Sequence, residues 1–218
     1  MKTFYINLEH RRDRRDHMEA MLSSFNINYE RFNAIQPTIN DIKNGEHRHL
    51  YEKAIPRVKK YINTQQMNPR GIGIFGVFLS HLKIHQNQVG NLEPYMILED
   101  DVIFTHDTLT KLDEIMTCKK YTDWDIIRSM WMSSNLCEKI EGVHRRSAFA
   151  KDNKVHTLYG GAHFSIFKNA SKVVNYILQE NFMPIDCIYS TNILNVYHRK
   201  MNVYTDFAKF GTDIPKLK

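Results

Sequence analysis

Apolar positions along this chain fall into two patterns, short unbroken runs and stripes spaced by three and four residues. Phe4–Leu8, Asn28–Ala34, Tyr95–Leu98, Trp124–Arg128, Gly161–Phe167 and Asn202–Tyr204 have the first pattern and predict strands. The second pattern predicts helices near 11–25, 71–89, 108–117, 169–178 and 185–196. Residues 37–70 are polar and basic with weak periodicity, and predict an irregular insertion with a short helix around 49–61. Strands alternating with helices, without internal repeat or Ser/Gly/Pro linker, predict an α/β layer fold. The expected organisation is one domain over 1–218, with 206–218 a tail that can close over a ligand.

Composition narrows this picture only a little. With 218 residues, 42% of them hydrophobic and 25% charged, the chain is neither disordered nor low in complexity. Its apolar runs are too short to span a bilayer, and the N-terminus carries no cleavable signal pattern. Cys118, Cys137 and Cys187 are odd in number and far apart, which argues for reduced thiols. The expected location is cytoplasmic, free or peripheral to a membrane. A formal charge of +6 favours anionic partners and admits nucleic acid as a rival reading. The basic stretches lack interleaved aromatics, so no nucleic-acid partner is expected.

Candidate chemistry concentrates in four places. Arg11 and Arg14 share a helical row with Met18, Leu22 and Phe25, so they should point inward at a helix mouth with no counterion evident in the sequence. An anion there would offset the macrodipole, and a solvated basic helix with Arg–Asp pairs is the alternative. Gly73, Gly76, Ser80 and Lys83 share a second row, with glycines that imply close approach of a backbone or a ligand. His81, on a neighbouring row, reads as a satisfied core histidine. The sharpest signal is Tyr95–Leu98 running into Glu99, Asp100 and Asp101. Strand alternation predicts Glu99 and Asp101 on one side and Asp100 on the other. Adjacent carboxylates repel unless neutralised, and such oxygens suit Mg²⁺ or Mn²⁺ shared with substrate phosphates. Asp186, after Pro184, is the fourth, with helix capping as its ordinary role.

These pieces resemble glycosyltransferase family 25, the lipooligosaccharide and collagen galactosyltransferase group. Ile6-Asn7-Leu8-Glu9 with Asp13-Arg14-Arg15 and Met18 is similar to the family's opening motif. Gly73 to His81 is similar to G-E-I-G-C-x-L-S-H, with Ile74 in place of Glu, and Leu98-Glu99-Asp100-Asp101-Val102 matches L-E-D-D-V. Trp124–Ile127, Gly161–Ala170 (with Asn169 in place of Gly), Pro184–Asp186 and Gly211–Ile214 are looser matches.

The resemblance implies a GT-A-like nucleotide-sugar-binding fold, with a mostly parallel sheet flanked by helices. It also implies a UDP-sugar donor, UDP-galactose above all, and inversion at the anomeric carbon. Glycan or hydroxylysine is the implied acceptor. Glu99 and Asp101 are then the expected ligands of Mn²⁺ or Mg²⁺. Asn7, Leu8, Arg11, Arg14, Ser80, Lys83 and Asp100 are the expected donor side. Asp186 is the expected base and His163 its alternate, or a third metal ligand. A relative that binds nucleotide sugar or glycan without transfer is the remaining alternative.

Overall fold

The computed structural model describes residues 1–53, 69–119, 122–129, 137–140, 143–146, 164–179, 184–189, 193–199, 201–205 and 207–211. Strand β1 (Lys2–Asn7) leads into helix α1 (Arg12–Ser24) and strand β2 (Tyr29–Asn33). Two short helices, α2 (Ile39–Asn44) and α3 (Arg48–Glu52), precede the long helix α4 (Pro69–Asn87). Next come β3 (Tyr95–Glu99), β4 (Val102–Phe104), α5 (His106–Thr117) and β5 (Ile126–Arg128). The rest comprises β6 (Cys137–Ile140), β7 (Val143–Arg146), β8 (Phe164–Phe167), α6 (Ala170–Gln179), α7 (Ile185–Ile188), β9 (Val196–Arg199), β10 (Val203–Thr205) and α8 (Phe207–Phe210).

Eight strands form one sheet in the order β2-β1-β3-β8-β5-β9-β7-β6. The pairings make six of them run the same way, with β8 and β7 opposed. The expected mostly parallel α/β architecture is therefore present. Alternation along the strands feeds two cores. Phe4, Ile6, Tyr95, Ile97 and Ile126 pack with α4, α6 and α7 on one face. Tyr5, Met96, Leu98 and Ile127 pack with Met18 and Leu22 of α1 and with α5 on the other. Both faces are covered, which is why the central strands read as unbroken apolar runs. Among the described residues no helix is long and apolar enough to cross a membrane.

Three expectations differ from the structure. The 37–53 part of the supposed irregular insertion holds two helices. The first is started by a capping box in which Thr38 and Asp41 bond each other's backbone N–H. The helix expected over 185–196 stops at Ile188, and Val196–Arg199 is instead a central strand beside β5 and β7. Asp125 Oδ2 accepts from Asn195 N at 2.8 Å, fixing the chain's entry into that strand. Strand β3 ends at Glu99, and Asp100-Asp101 form a turn into β4, which leaves the large sheet to pair with β10.

Candidate active site

A cleft of about 370 Å³ opens where β1 and β3 end. The carboxyl ends of parallel strands are where open α/β sheets bind ligands. One wall is the acidic turn, with Glu99, Asp100 and Asp101 all lining the cleft. The simple alternation expected for these acids is overturned, because the strand stops before it can separate them. The opposite wall is a strap, Ala34 to Pro37, laid across α4 at Gly73, Gly76 and Ser80.

The strap explains the glycine row. A Cβ on Gly76 would lie 2.5 Å from the Ile35 carbonyl oxygen, so the close neighbour is backbone. Ser80 Oγ accepts from Ile35 N at 2.9 Å and donates to Gly76 O at 2.7 Å, pinning strap to helix. Ala34 N donates to Asn7 O, tying the strap to β1 as well. Ser80 and Leu8 line the cleft, but Lys83 does not reach it. Lys83 is exposed on a second cavity, near His47, Leu79 and Leu178.

The middle acid is fully engaged. Arg14 Nη1 donates to Asp100 Oδ1 at 2.6 Å, and Asn7 Nδ2 donates to Asp100 Oδ2 at 2.7 Å. Asn7 Oδ1 accepts from Arg31 Nε, so a polar net runs from β2 to the acidic turn. The expectation that Arg14 lacks a counterion is corrected by Asp100. For Arg11, at the helix N-cap, it is corrected by Asp13, whose Oδ2 lies 2.8 Å from its guanidinium. Both arginines also reach the chain's last described residues, Arg11 donating to Phe210 O and Arg14 to Gly211 O. Arg15 and Arg31 pair with Glu9. Four arginines of this region, Arg11, Arg14, Arg15 and Arg31, are thus tied to acids of the chain itself.

The two outer acids are not neutralised in this way. Glu99 keeps 31% of its side chain open, onto the cleft. Burial by the surrounding protein, then the charges of Asp186 and Asp100, push its carboxyl up to about 8, against the pull of Arg14 and Arg128. Asp101 is pushed up to about 7, by burial first and then by the Glu99 charge. Its Oδ1 is buried without a hydrogen-bond partner. Arg14 stands 3.9 Å from its other oxygen, too far for a strong bond.

Two further features were not read from sequence as functional. Arg128, fully buried at the end of β5, points its guanidinium at the carbonyl and carboxylate of Asp186, at 3.3 and 3.5 Å. Asp186 therefore lies in the first turn of α7 facing Arg128, close enough to Glu99 to raise its pKa. His81 is buried as expected, yet its Nε2 has no hydrogen-bond partner and lies 3.5 Å from Glu99 Oε1. His163 lies outside the described residues.

Residues 1–193 match the family described as glycosyltransferase family 25 (LPS biosynthesis protein). The chain belongs to glycosyltransferase family 25. Among curated relatives, procollagen galactosyltransferase 1-A of Xenopus laevis is 28% identical over 194 residues, covering 85% of this chain and 30% of that protein. Procollagen galactosyltransferase 2 of Mus musculus is 32% identical over 127 residues, covering 57% of this chain and 20% of that protein. The chain thus spans less than a third of the length of these relatives.

The cleft of this family 25 chain can be tested as a cation site on its own donors. Among the described residues no three His, Cys, Asp or Glu side chains converge as a complete metal cage. Glu99 and Asp101 nevertheless fit a hard divalent ion, since they offer carboxylate oxygens in a site that disfavours their bare charges. One of those oxygens is buried with no partner. Mg²⁺-type ions commonly take one or two protein carboxylates and complete their shell with water and substrate phosphate.

Proposed function

We propose that this chain transfers a hexosyl group, galactose in the first instance, from a UDP-sugar to a hydroxyl acceptor, with inversion. The observation that carries this reading is the pair of unneutralised carboxyls, Glu99 and Asp101, at the strand-end cleft. Glu99 and Asp101 would hold Mn²⁺ or Mg²⁺, which supplies charge neutralisation to a diphosphate leaving group. Galactose is supported by the names of the procollagen galactosyltransferase relatives. A procollagen chain is the acceptor suggested by those names, with hydroxylysine as the resemblance implies, and a lipopolysaccharide glycan is the one suggested by the family description.

In this reading each wall has its own task. Leu8 and the strap bound the nucleotide end of the cleft, and Asn7 and Arg14 hold Asp100 so that the turn keeps its shape. Asp186 takes the proton of the acceptor hydroxyl as it attacks the anomeric carbon, and Arg128 fixes the orientation of that carboxylate.

Calorimetry of UDP binding tests this directly. Affinity is expected to require Mn²⁺ or Mg²⁺ and to vanish with excess chelator. Unchanged UDP affinity in chelator, with sugar transfer intact, would overturn the cation assignment. A panel of nucleotide sugars scored by thermal shift tests the sugar, with about 2.7 kcal/mol of stabilisation expected at 100 times the dissociation constant.

A further inference from the structure

Behind Glu99 lies a buried chain of polar side chains that the proposed reaction does not use. Tyr95 on β3, His85 and His81 on α4, and Tyr189 after α7 are each at most 1% exposed. The Tyr95 hydroxyl lies 2.6 Å from His85 Nδ1. His85 Nε2 lies 2.5 Å from the Tyr189 hydroxyl, which is 2.9 Å from His81 Nδ1. His81 Nε2 ends the chain, unpartnered, 3.5 Å from Glu99 Oε1. The two histidines are one helical turn apart, so α4 presents both to the same side.

Counting protons gives the chain a direction. A neutral imidazole carries one N–H, and three of the four ring nitrogens face a tyrosine hydroxyl within hydrogen-bond distance. Each tyrosine has one hydroxyl proton, and a buried proton without an acceptor is costly. The Tyr95 hydroxyl meets only His85 Nδ1 among the described residues, so it donates there. His85 then carries its proton on Nε2 and donates to the Tyr189 oxygen. Tyr189 in turn has, among the described residues, His81 Nδ1 left to receive its proton. The remaining proton of His81 therefore sits on Nε2, facing Glu99. The opposite polarity would leave the Tyr95 proton with no acceptor.

We propose that Tyr95, His85, Tyr189 and His81 form a one-way hydrogen-bond chain that makes His81 a positioning residue for Glu99, presenting Nε2–H to Oε1. Closing the 3.5 Å gap to a hydrogen bond would reserve Oε1 for His81 and leave Oε2 for the cleft. Ligand carboxylates are commonly oriented in this way by a fixed outer donor. The purpose served by Glu99 rests on the reading above, whereas the direction of the chain does not.

Nitrogen-detected imidazole spectra of the metal-free full chain test the direction, with His81→Gln and His85→Gln used to assign the signals. Both histidines are expected as Nε2–H tautomers at neutral pH. An Nδ1–H or rapidly exchanging His81 would overturn the proposal. Mn²⁺ binding without donor, followed by electron paramagnetic resonance, tests the positioning. Tyr189→Phe, which removes the donor to His81 Nδ1, is expected to weaken Mn²⁺ about ten-fold. His81→Gln, whose amide N–H can still reach Glu99, should stay nearer wild type than His81→Leu. Equal loss in the two His81 variants, or full affinity in Tyr189→Phe, would refute the role. If the wild-type chain bound no Mn²⁺ at all, the cation reading of Glu99 would fall, while the spectra would still decide the direction of the chain.

Discussion

Asp100 and its two neighbours share a turn and a cleft wall but sit in opposite energetic conditions. Asp100 spends both oxygens on Arg14 and Asn7, so each has a donor and one of them a cation. Glu99 and Asp101 are crowded without comparable compensation, and both hold their protons far above the usual carboxylate range. The difference separates two jobs that a run of three acids does not reveal. One acid builds the turn, and two keep an unmet demand for positive charge. Perturbed groups with a named physical cause in a cleft mark a candidate functional site.

The largest effect tests which kind of acid Asp186 is. If it takes the acceptor proton, Asp186→Asn should lower transfer by about 10²- to 10⁴-fold with donor affinity nearly unchanged. If it resembles Asp100, serving mainly to satisfy Arg128, single-turnover transfer will stay near wild type and the loss will appear in the melting temperature.

Next comes Arg14→Ala. It would leave Asp100 buried without its cation, and breaking such a pair costs roughly 3–5 kcal/mol. Denaturant unfolding should show that loss before any ligand is added. An unchanged midpoint would mean that Arg14 waits for an anion, as its position in the sequence first suggests, and that the contrast with Glu99 is false.

A smaller effect follows from pH. Unfolded Asp and Glu lose their protons near pH 4, whereas folded Glu99 keeps its proton to about 8 and folded Asp101 to about 7. Between those limits the folded state binds more protons, so their contribution makes stability fall as pH rises from about 5 to 8 and level off above. Glu99→Gln should flatten part of that slope, and Mn²⁺ should offset it at the alkaline end. A melting temperature that rose through this window in the wild type and was unaffected by Glu99→Gln would contradict the account.

Smallest is Lys83→Ala. Exposed on the second cavity, Lys83 should change stability by no more than about 0.5 kcal/mol and leave UDP affinity intact. A clear loss of affinity would return it to the donor side where the helical spacing places it.

Much of this site is legible in the chain because its parts are local. The apolar run into Glu99 announces a buried strand, and the Met18–Leu22 stripe says which way Arg14 faces. What escapes sequence is pairing at a distance. Arg14 and Asp100 are 86 positions apart, and no periodicity relates them. The run Ile193-Leu194-Asn195-Val196 reads equally as helix or strand, and the bond from Asn195 to Asp125 decides it. Thr38 and Asp41, by contrast, carried a readable helix-start signal inside a segment whose basic composition masked it. His81 lies in the core, as its helical row predicts, but its link to Glu99 depends on two tyrosines from other elements.

The grip of Arg11 and Arg14 on Phe210 and Gly211 has a consequence for the timing of biogenesis. Strands β2, β1 and β3 are neighbours in the sheet and are all synthesised by residue 99, so this parallel trio with its acidic turn can assemble while the ribosome is still working. The carbonyls that complete the arginine cluster come 199 and 197 positions after their donors. At common elongation speeds, roughly 5 to 20 s pass between the making of Asp100 and of Gly211. During that interval the nascent chain carries the acids and arginines without those two carbonyls, so a chain that stalls before α8 has the arginine cluster but not the acceptors that complete it.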